Sequence, residues 1–254
     1  MTSTFRLVAW NIRAGGGVRA EKIGRALHEF APSAIILSEY RSTPPSRDIS
    51  SSLALTGCSY QSTSVNEVDN GQNALLIAAT QPMRQVALRN RPSEPGRWRI
   101  VRLAQPKLVI AGVHVPNQHT GRKPQFHDSV LSLIRRWKGG PAIIAGDTNS
   151  GKIGEDEETS VFNQRTSAWF EKIHAAGWRD AFRLVHGGKR EFTWYSPGHR
   201  NGFRLDQAFV SPELVTRVKD VRHEWPVDFD QPERRDALSD HAALIVDFDT
   251  TGLK

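Results

Sequence analysis

Eight short apolar runs, rich in β-branched residues, recur along this chain: residues 5–12, 34–37, 74–79, 100–103, 108–115, 142–145, 205–210 and 243–248. Each has the length of a strand, and several follow one another with no helical pattern between them. Helical periodicity is confined to 20–30 ("AEKIGRALHEF"), 126–137 ("FHDSVLSLIRRW") and 167–176 ("SAWFEKIHAA"). A regular parallel sheet needs a crossover helix after nearly every strand. The pattern therefore predicts an α+β layered fold, with mixed or antiparallel sheets covered by helices.

The chain has 254 residues, 38% hydrophobic and 24% charged, which suits one globular domain spanning 1–254. The start "MTSTFRLVAWNI" enters a strand pattern directly, without the basic and apolar segments of a secretory signal, and no run reaches membrane-spanning length. Cys58 is the single cysteine, so an intramolecular disulfide and a cysteine-rich zinc site are excluded. These features fit a cytoplasmic protein, with a monomer as the default. No repeat or heptad pattern is visible. Two stretches, "STPPSRDISSS" at 42–52 and "GKIGEDEET" at 151–159, read as surface loops. The net charge of +7 favours a polyanionic partner, because each phosphate neutralised releases condensed counterions.

The apolar runs end in polar residues. "LVAWN" closes on Asn11, "AIILSE" on Glu39, "VIAGVH" on His114 and "AIIAGDTN" on Asp147 and Asn149, while "SDHAALI" sets Asp240 and His241 before its run. A single Asp at a strand end is usually a turn former; five such ends together are not explained by turn chemistry. Glu39, Asp147, Asp240, Asn11 and Asn149 make a hard oxygen-donor set suited to Mg²⁺ or Mn²⁺. His114 and His241 add groups that move protons near neutral pH. Together they point to hydrolysis of a phosphate ester with metal-assisted attack by water. The nucleophile motif G-x-S-x-G is absent, and "NIRAGGGVR" lacks P-loop spacing.

In this order, "AWNI", "LSE", "GDTN", "FRLDQAFVS" and "SDHAALI" resemble the endonuclease/exonuclease/phosphatase superfamily. "HVPN", "KPQFHDSVLSL", "AAGWRDAFR" and "FTWYSPGHRNGFRLD" are most similar to its exonuclease III and abasic-site endonuclease branch. The resemblance implies a four-layered α/β sandwich, two packed mixed sheets flanked by helices. It also implies Glu39 as principal Mg²⁺ ligand with Asn11 and Asp240 close by. Asp147 and Asn149 would position and deprotonate water, and His241, oriented by Asp206, would hydrogen-bond the phosphoryl oxygen. An alternative uses His114 and His241 as an acid and base pair, each backed by a carboxylate. Asn117 and Trp194, with Arg122 and Arg204, are the substrate-binding candidates. One departure matters: His114 stands where abasic-site enzymes usually carry Tyr and nonspecific DNases carry His.

Basic residues crowd the loop regions, at Arg84, Arg89, Arg91, Arg97, Arg99, Arg102, Arg122 and Lys123, some beside aromatics, as in "GRWRIVR". That pairing suits phosphate contacts and base stacking, so DNA is the leading partner. The acidic "GEDEET" would repel DNA and is expected to point away from the cleft. Other phosphodiesters (RNA, a small molecule, a lipid head group) and a catalytically inactive nucleic-acid binder are the competing readings. The absence of an amphipathic or lipid-anchor signal weighs against membranes.

Overall fold

A computed structural model of the chain describes residues 4–65, 71–87, 94–198 and 200–253. Arg89, Arg91 and the His199 of "FTWYSPGHRNGFRLD" lie outside the described residues.

One six-stranded sheet contains β1 (Thr4–Asn11), β2 (Ala34–Tyr40), β3 (Tyr60–Thr63), β4 (Ala74–Ala79), β13 (Val218–Glu224) and β14 (Ala243–Asp249), in the order β13-β14-β1-β2-β4-β3. The other contains β5 (Met83–Gln85), β6 (Trp98–Leu103), β7 (Val109–His114), β8 (Ala142–Asp147), β9 (Arg179–Asp180) and β12 (Asp206–Val210), in the order β5-β6-β7-β8-β12-β9. Each sheet is antiparallel except for one parallel pair, β1 with β2 and β7 with β8. A two-stranded hairpin, β10 (Trp194–Tyr195) and β11 (Gly202–Phe203), stands apart.

The apolar runs are continuous because both faces of their strands are covered. On β1, Leu7 and Ala9 point between the sheets with Ile36, Ile77, Ile110 and Ile143, while Val8 and Trp10 face outward. The outward residues pack on α1 (Ala20–Glu29) and α2 (Pro44–Leu55) through Ile23, Leu27, Ile49 and Leu53. On the far side, Val109, Ala111 and Ile144 pack on α3 (Lys123–Arg136) and α4 (Gln164–Ala175). A fifth helix, α5 (Ala181–His186), follows β9 directly. The result is the four-layered α+β sandwich with two mixed sheets flanked by helices, as expected. Trp169, Trp98 and the half-buried Trp137 belong to the outer core, so none is a surface platform.

The stretch 42–52, expected to be a loop, is mostly helix α2. Its prolines occupy the first turn, where a missing N–H costs nothing, and Ser46, Ile49 and Leu53 form a buried stripe one turn apart. The loop at 151–159 is irregular as expected, but its acids do not simply point away. Asp156 and Glu157 are buried: Asp156 pairs with Arg183 and Arg204, and Glu157 accepts the backbone N–H groups of Gly154, Val161 and Phe162. Those carboxylates are consumed in folding the loop and present no charge to a groove.

Candidate active site

The two parallel strand pairs end side by side. Asn11 is registered with Ser38 on one sheet, while His114 and Asp206 are both registered with Asp147 on the other. The β7–β8 approach requires glycine at 146, where φ is +140° and a Cβ would lie 2.1 Å from the Val113 carbonyl oxygen. That close contact sets the His114 and Asp147 side chains over one another, with His114 Nε2 3.5 Å from Asp147 Oδ2.

Asp147, 2% exposed, is the centre of the cluster. Its Oδ2 accepts from Asn11 Nδ2 at 3.0 Å and Asn149 Nδ2 at 3.3 Å, and its Oδ1 accepts the Asn149 backbone N–H at 2.9 Å. Asn149 has φ +45°, a left-handed conformation that turns the chain back on Asp147, and its amide also donates to the Val115 carbonyl. Thr148, the residue between them, faces inward and ties the loop to the Leu205 carbonyl through both its N–H and its hydroxyl. The apolar run is thus a rigid shaft, and Asp-Thr-Asn is a braced tip.

His241 donates or accepts at Nδ1 with Asp206 Oδ2 at 2.8 Å, and its Nε2 faces Asp147 Oδ2 at 3.9 Å. Burial alone would favour the neutral ring. Asp206 and Asp147 overcome it and raise the His241 pKa to about 10, making an imidazolium at neutral pH whose Nδ1–H points at Asp206. His114 goes the other way: burial, Arg97 and His241 push it well below the ordinary histidine value, and it stays neutral. Its buried Nδ1 has no hydrogen-bond partner among the described residues. Each histidine thus faces a carboxylate, His241 with Asp206 at 2.8 Å and His114 with Asp147 at 3.5 Å, and of the two it is His241 that is held charged. Burial raises Asp147 to about 6, with the His241 charge opposing the rise.

Glu39 sits at a bulge in β2, in a left-handed conformation with φ +58°, which turns it out of the sheet toward Asn11. Its Oε1 accepts from Asn11 Nδ2 at 3.3 Å and its Oε2 accepts the Ala14 N–H at 2.8 Å. The glycine-rich stretch after Asn11 thus wraps Glu39 instead of cradling phosphate. Gly15 donates to the Glu39 carbonyl, and a Cβ there would lie 2.8 Å from Ser46 Oγ. Asp240 is half-buried and accepts from the Trp194 indole N–H at 3.3 Å. Trp194 also packs on the His241 ring, 6.3 Å between centroids.

The cluster fits a hard divalent cation. Asp147, Asp206 and His241 present ligand atoms within 4.8 Å of one another, although Asp206 and His241 satisfy each other. Glu39, Asp147, Asp206 and Asp240 carry more negative charge than the single imidazolium balances.

The substrate-binding candidates divide. Asn117 is exposed immediately after the buried His114-Val115-Pro116 stretch, and Trp194 overhangs the site. Arg122 is exposed and pairs with Glu94 at 3.2 Å, a carboxylate shared with Arg97, whose guanidinium also reaches the His114 carbonyl. Arg204 is corrected by the structure. It is 1% exposed, with Nε donating to Asp156 at 2.8 Å, its terminal nitrogens on Asp180 and its plane over Phe182, so the guanidinium is enclosed by protein and out of a substrate's reach. Of the other expected phosphate contacts, Arg99 donates to Ser62 and Arg102 to the Gly139 carbonyl.

Two supports were not foreseen. Lys123, buried at the start of α3, donates its ammonium to the Asn149 carbonyl. One turn later His127, assigned no role from sequence, hydrogen-bonds Ser150 Oγ at 3.0 Å and stacks on Trp169 at 4.1 Å. Burial lowers Lys123 to about 8 and His127 to about 3. Their i, i+4 spacing was the available signal, obscured by the assumption that helix polar residues face solvent.

Three solved structures share this architecture. An AP endonuclease from Archaeoglobus fulgidus superposes with a TM-score of 0.78 at 19% identity, covering 96% of this chain and 99% of its own. A 3′ phosphatase from Neisseria bound to product DNA hairpin gives 0.77 at 19% identity over 96% and 99%. A 3′-5′ exonuclease from Neisseria meningitidis gives 0.76 at 20% identity over 96% and 100%. At this identity the likeness establishes the fold. The family itself is established by a sequence match to the Endonuclease/Exonuclease/phosphatase family over residues 8–241, which spans Glu39, Asp147, Asp206 and His241. This chain belongs to the endonuclease/exonuclease/phosphatase family and is a phosphoric ester hydrolase.

Proposed function

We propose that the protein is a Mg²⁺-dependent (or Mn²⁺-dependent) phosphodiesterase acting on nucleic acid, with DNA as its substrate, and that residues 1–254 work as one catalytic domain. The observation that carries this reading is the Asp147 carboxylate, braced by two asparagines and facing an imidazolium fixed by Asp206. Glu39 would hold the metal, with Asn11 and Asp240 beside it; a bound divalent ion would neutralise charge on the phosphate and the leaving oxygen.

At neutral pH most of Asp147 is ionised, since its pKa of about 6 lies below 7. It accepts a proton from a water held between it and the Asn149 amide as the water oxygen attacks phosphorus. His241 donates its Nε2–H to a non-bridging phosphoryl oxygen, stabilising charge as it builds. Asp206 keeps the ring oriented and charged. Neutral His114 lines the same pocket without adding a second cation. DNA as substrate is further supported by the net charge of +7, by Arg97 and Arg122 beside the His114 strand end, and by the DNA product bound to the Neisseria phosphatase.

The test is cleavage of an intact duplex and of one carrying a single abasic site, with Mg²⁺ and with EDTA. Mg²⁺-dependent cutting of either supports the proposal, and a preference for the abasic duplex adds a role in DNA repair. If neither is cut while RNA or a small phosphodiester is, DNA is refuted as the substrate.

A further inference from the structure

The segment between β13 and β14 delivers Asp240 and His241, and it is anchored on the way. Lys22 of α1 pairs with Asp228 at 2.7 Å and Asp230 at 2.6 Å, and successive turns bond Gln231 to Asp228, Arg234 to Gln231 and Ala237 to Arg234. On this ordered loop the guanidinium of Arg235 lies 3.8 Å from the centroid of Tyr195 and 4.7 Å from that of Trp225. Its neighbour Arg234 is neutralised by Asp236 at 2.9 Å, whereas no carboxylate among the described residues lies within ion-pair distance of Arg235. The contrast with Arg204 is instructive: a structural arginine here is spent on carboxylates, while Arg235 is exposed and spends only its flat faces.

Stacking leaves the in-plane N–H donors of a guanidinium free and fixes their direction in advance. Two such donors match a phosphate bidentately. The location fits as well, because Tyr195 directly follows Trp194, which contacts Asp240 and His241. Arg235 itself lies on the segment that delivers Asp240 and His241, five and six residues ahead of them.

We infer that Arg235, held by Tyr195 and Trp225, is a phosphate-binding subsite for the nucleic-acid backbone outside the scissile position. This rests on the nucleic-acid reading above. A small phosphodiester, which ends within the catalytic pocket, gains nothing from it.

The test compares wild type, Arg235→Ala and Arg235→Lys, with Mg²⁺, on a DNA duplex and on bis(4-nitrophenyl) phosphate. Arg235→Ala is expected to raise KM for the duplex about tenfold, leave kcat within twofold, and reduce the slope of log affinity against log salt by about 1. Turnover of the small diester stays unchanged, which also shows that the variant is folded. Arg235→Lys keeps charge but loses the stacked fork, and falls between the two. Wild-type KM and salt slope in Arg235→Ala would overturn the subsite while leaving the nucleic-acid reading intact. A wild-type enzyme that turns over the small diester but neither binds nor cleaves DNA would overturn both.

Discussion

Arg204→Met separates a structural arginine from a substrate-binding one. The side chain is buried against two carboxylates, so its removal leaves negative charge uncompensated in the interior, a loss typically worth about 3–5 kcal/mol. Asp156, fully buried, keeps Arg183 and the Lys152 N–H, and Asp180 keeps its bonds to the first turn of α5. These residual partners place the cost at the lower end, about 3 kcal/mol. For a chain of this size that lowers the melting temperature by roughly 6–12 °C. The assay is urea and thermal unfolding beside steady-state kinetics at 20 °C, where the variant is still folded. An unchanged unfolding midpoint with a strongly raised KM would refute the reasoning and restore Arg204 to the substrate.

Asp206→Asn removes the carboxylate charge that keeps His241 protonated and can turn an N–H toward Nδ1, so kcat should fall by ~10²-fold or more with little change in KM; an unaltered kcat would show that the His241–Asp206 bond is incidental. Mg²⁺ at ten times its Kd should stabilise the wild-type protein by about 1.4 kcal/mol, and Glu39→Gln should abolish most of that gain. Equal stabilisation of both proteins in a thermal-shift titration would move the metal elsewhere. Hydrogen bonding to His223 lowers the Glu191 carboxyl to about 2, so its contribution to stability is complete above the unfolded value near 4.5 and is lost as pH falls toward 2. The difference in unfolding free energy between wild type and Glu191→Gln should therefore be flat from pH 6 to 5 and shrink below 4.5, and a difference independent of pH would contradict the assignment.

What the sequence revealed follows from what burial does to composition. Strands covered on both faces must be apolar throughout, so β1, β2, β4, β7, β8 and β14 stood out as runs, and the polar residues that end them were conspicuous by contrast. Helix α2 was hidden because prolines and serines, which usually signal a loop, here occupy its first turn and its exposed face, leaving only Ile49 and Leu53 to mark the buried stripe. The edge strands β3, β5 and β13 carry half-exposed polar side chains and leave little pattern. Arg204 reads as a site residue because it is two residues from Asp206 in sequence, yet it lies in the link between β11 and β12, where its backbone N–H bonds the Asp156 carbonyl and its guanidinium is held by Asp156 and Asp180. Lys123 and His127 act on the catalytic loop from a helix more than twenty residues away, a contact that only the fold creates.

The account rests on Asp147 as the group that takes the proton from water. Single-turnover cleavage of a DNA duplex at saturating Mg²⁺, comparing wild type with Asp147→Asn, tests it directly. The predicted result is a rate lowered by about 10²–10⁴-fold with duplex affinity and melting temperature nearly unchanged. A rate within a few fold of wild type, in a variant shown to be folded and to bind the duplex, would contradict it.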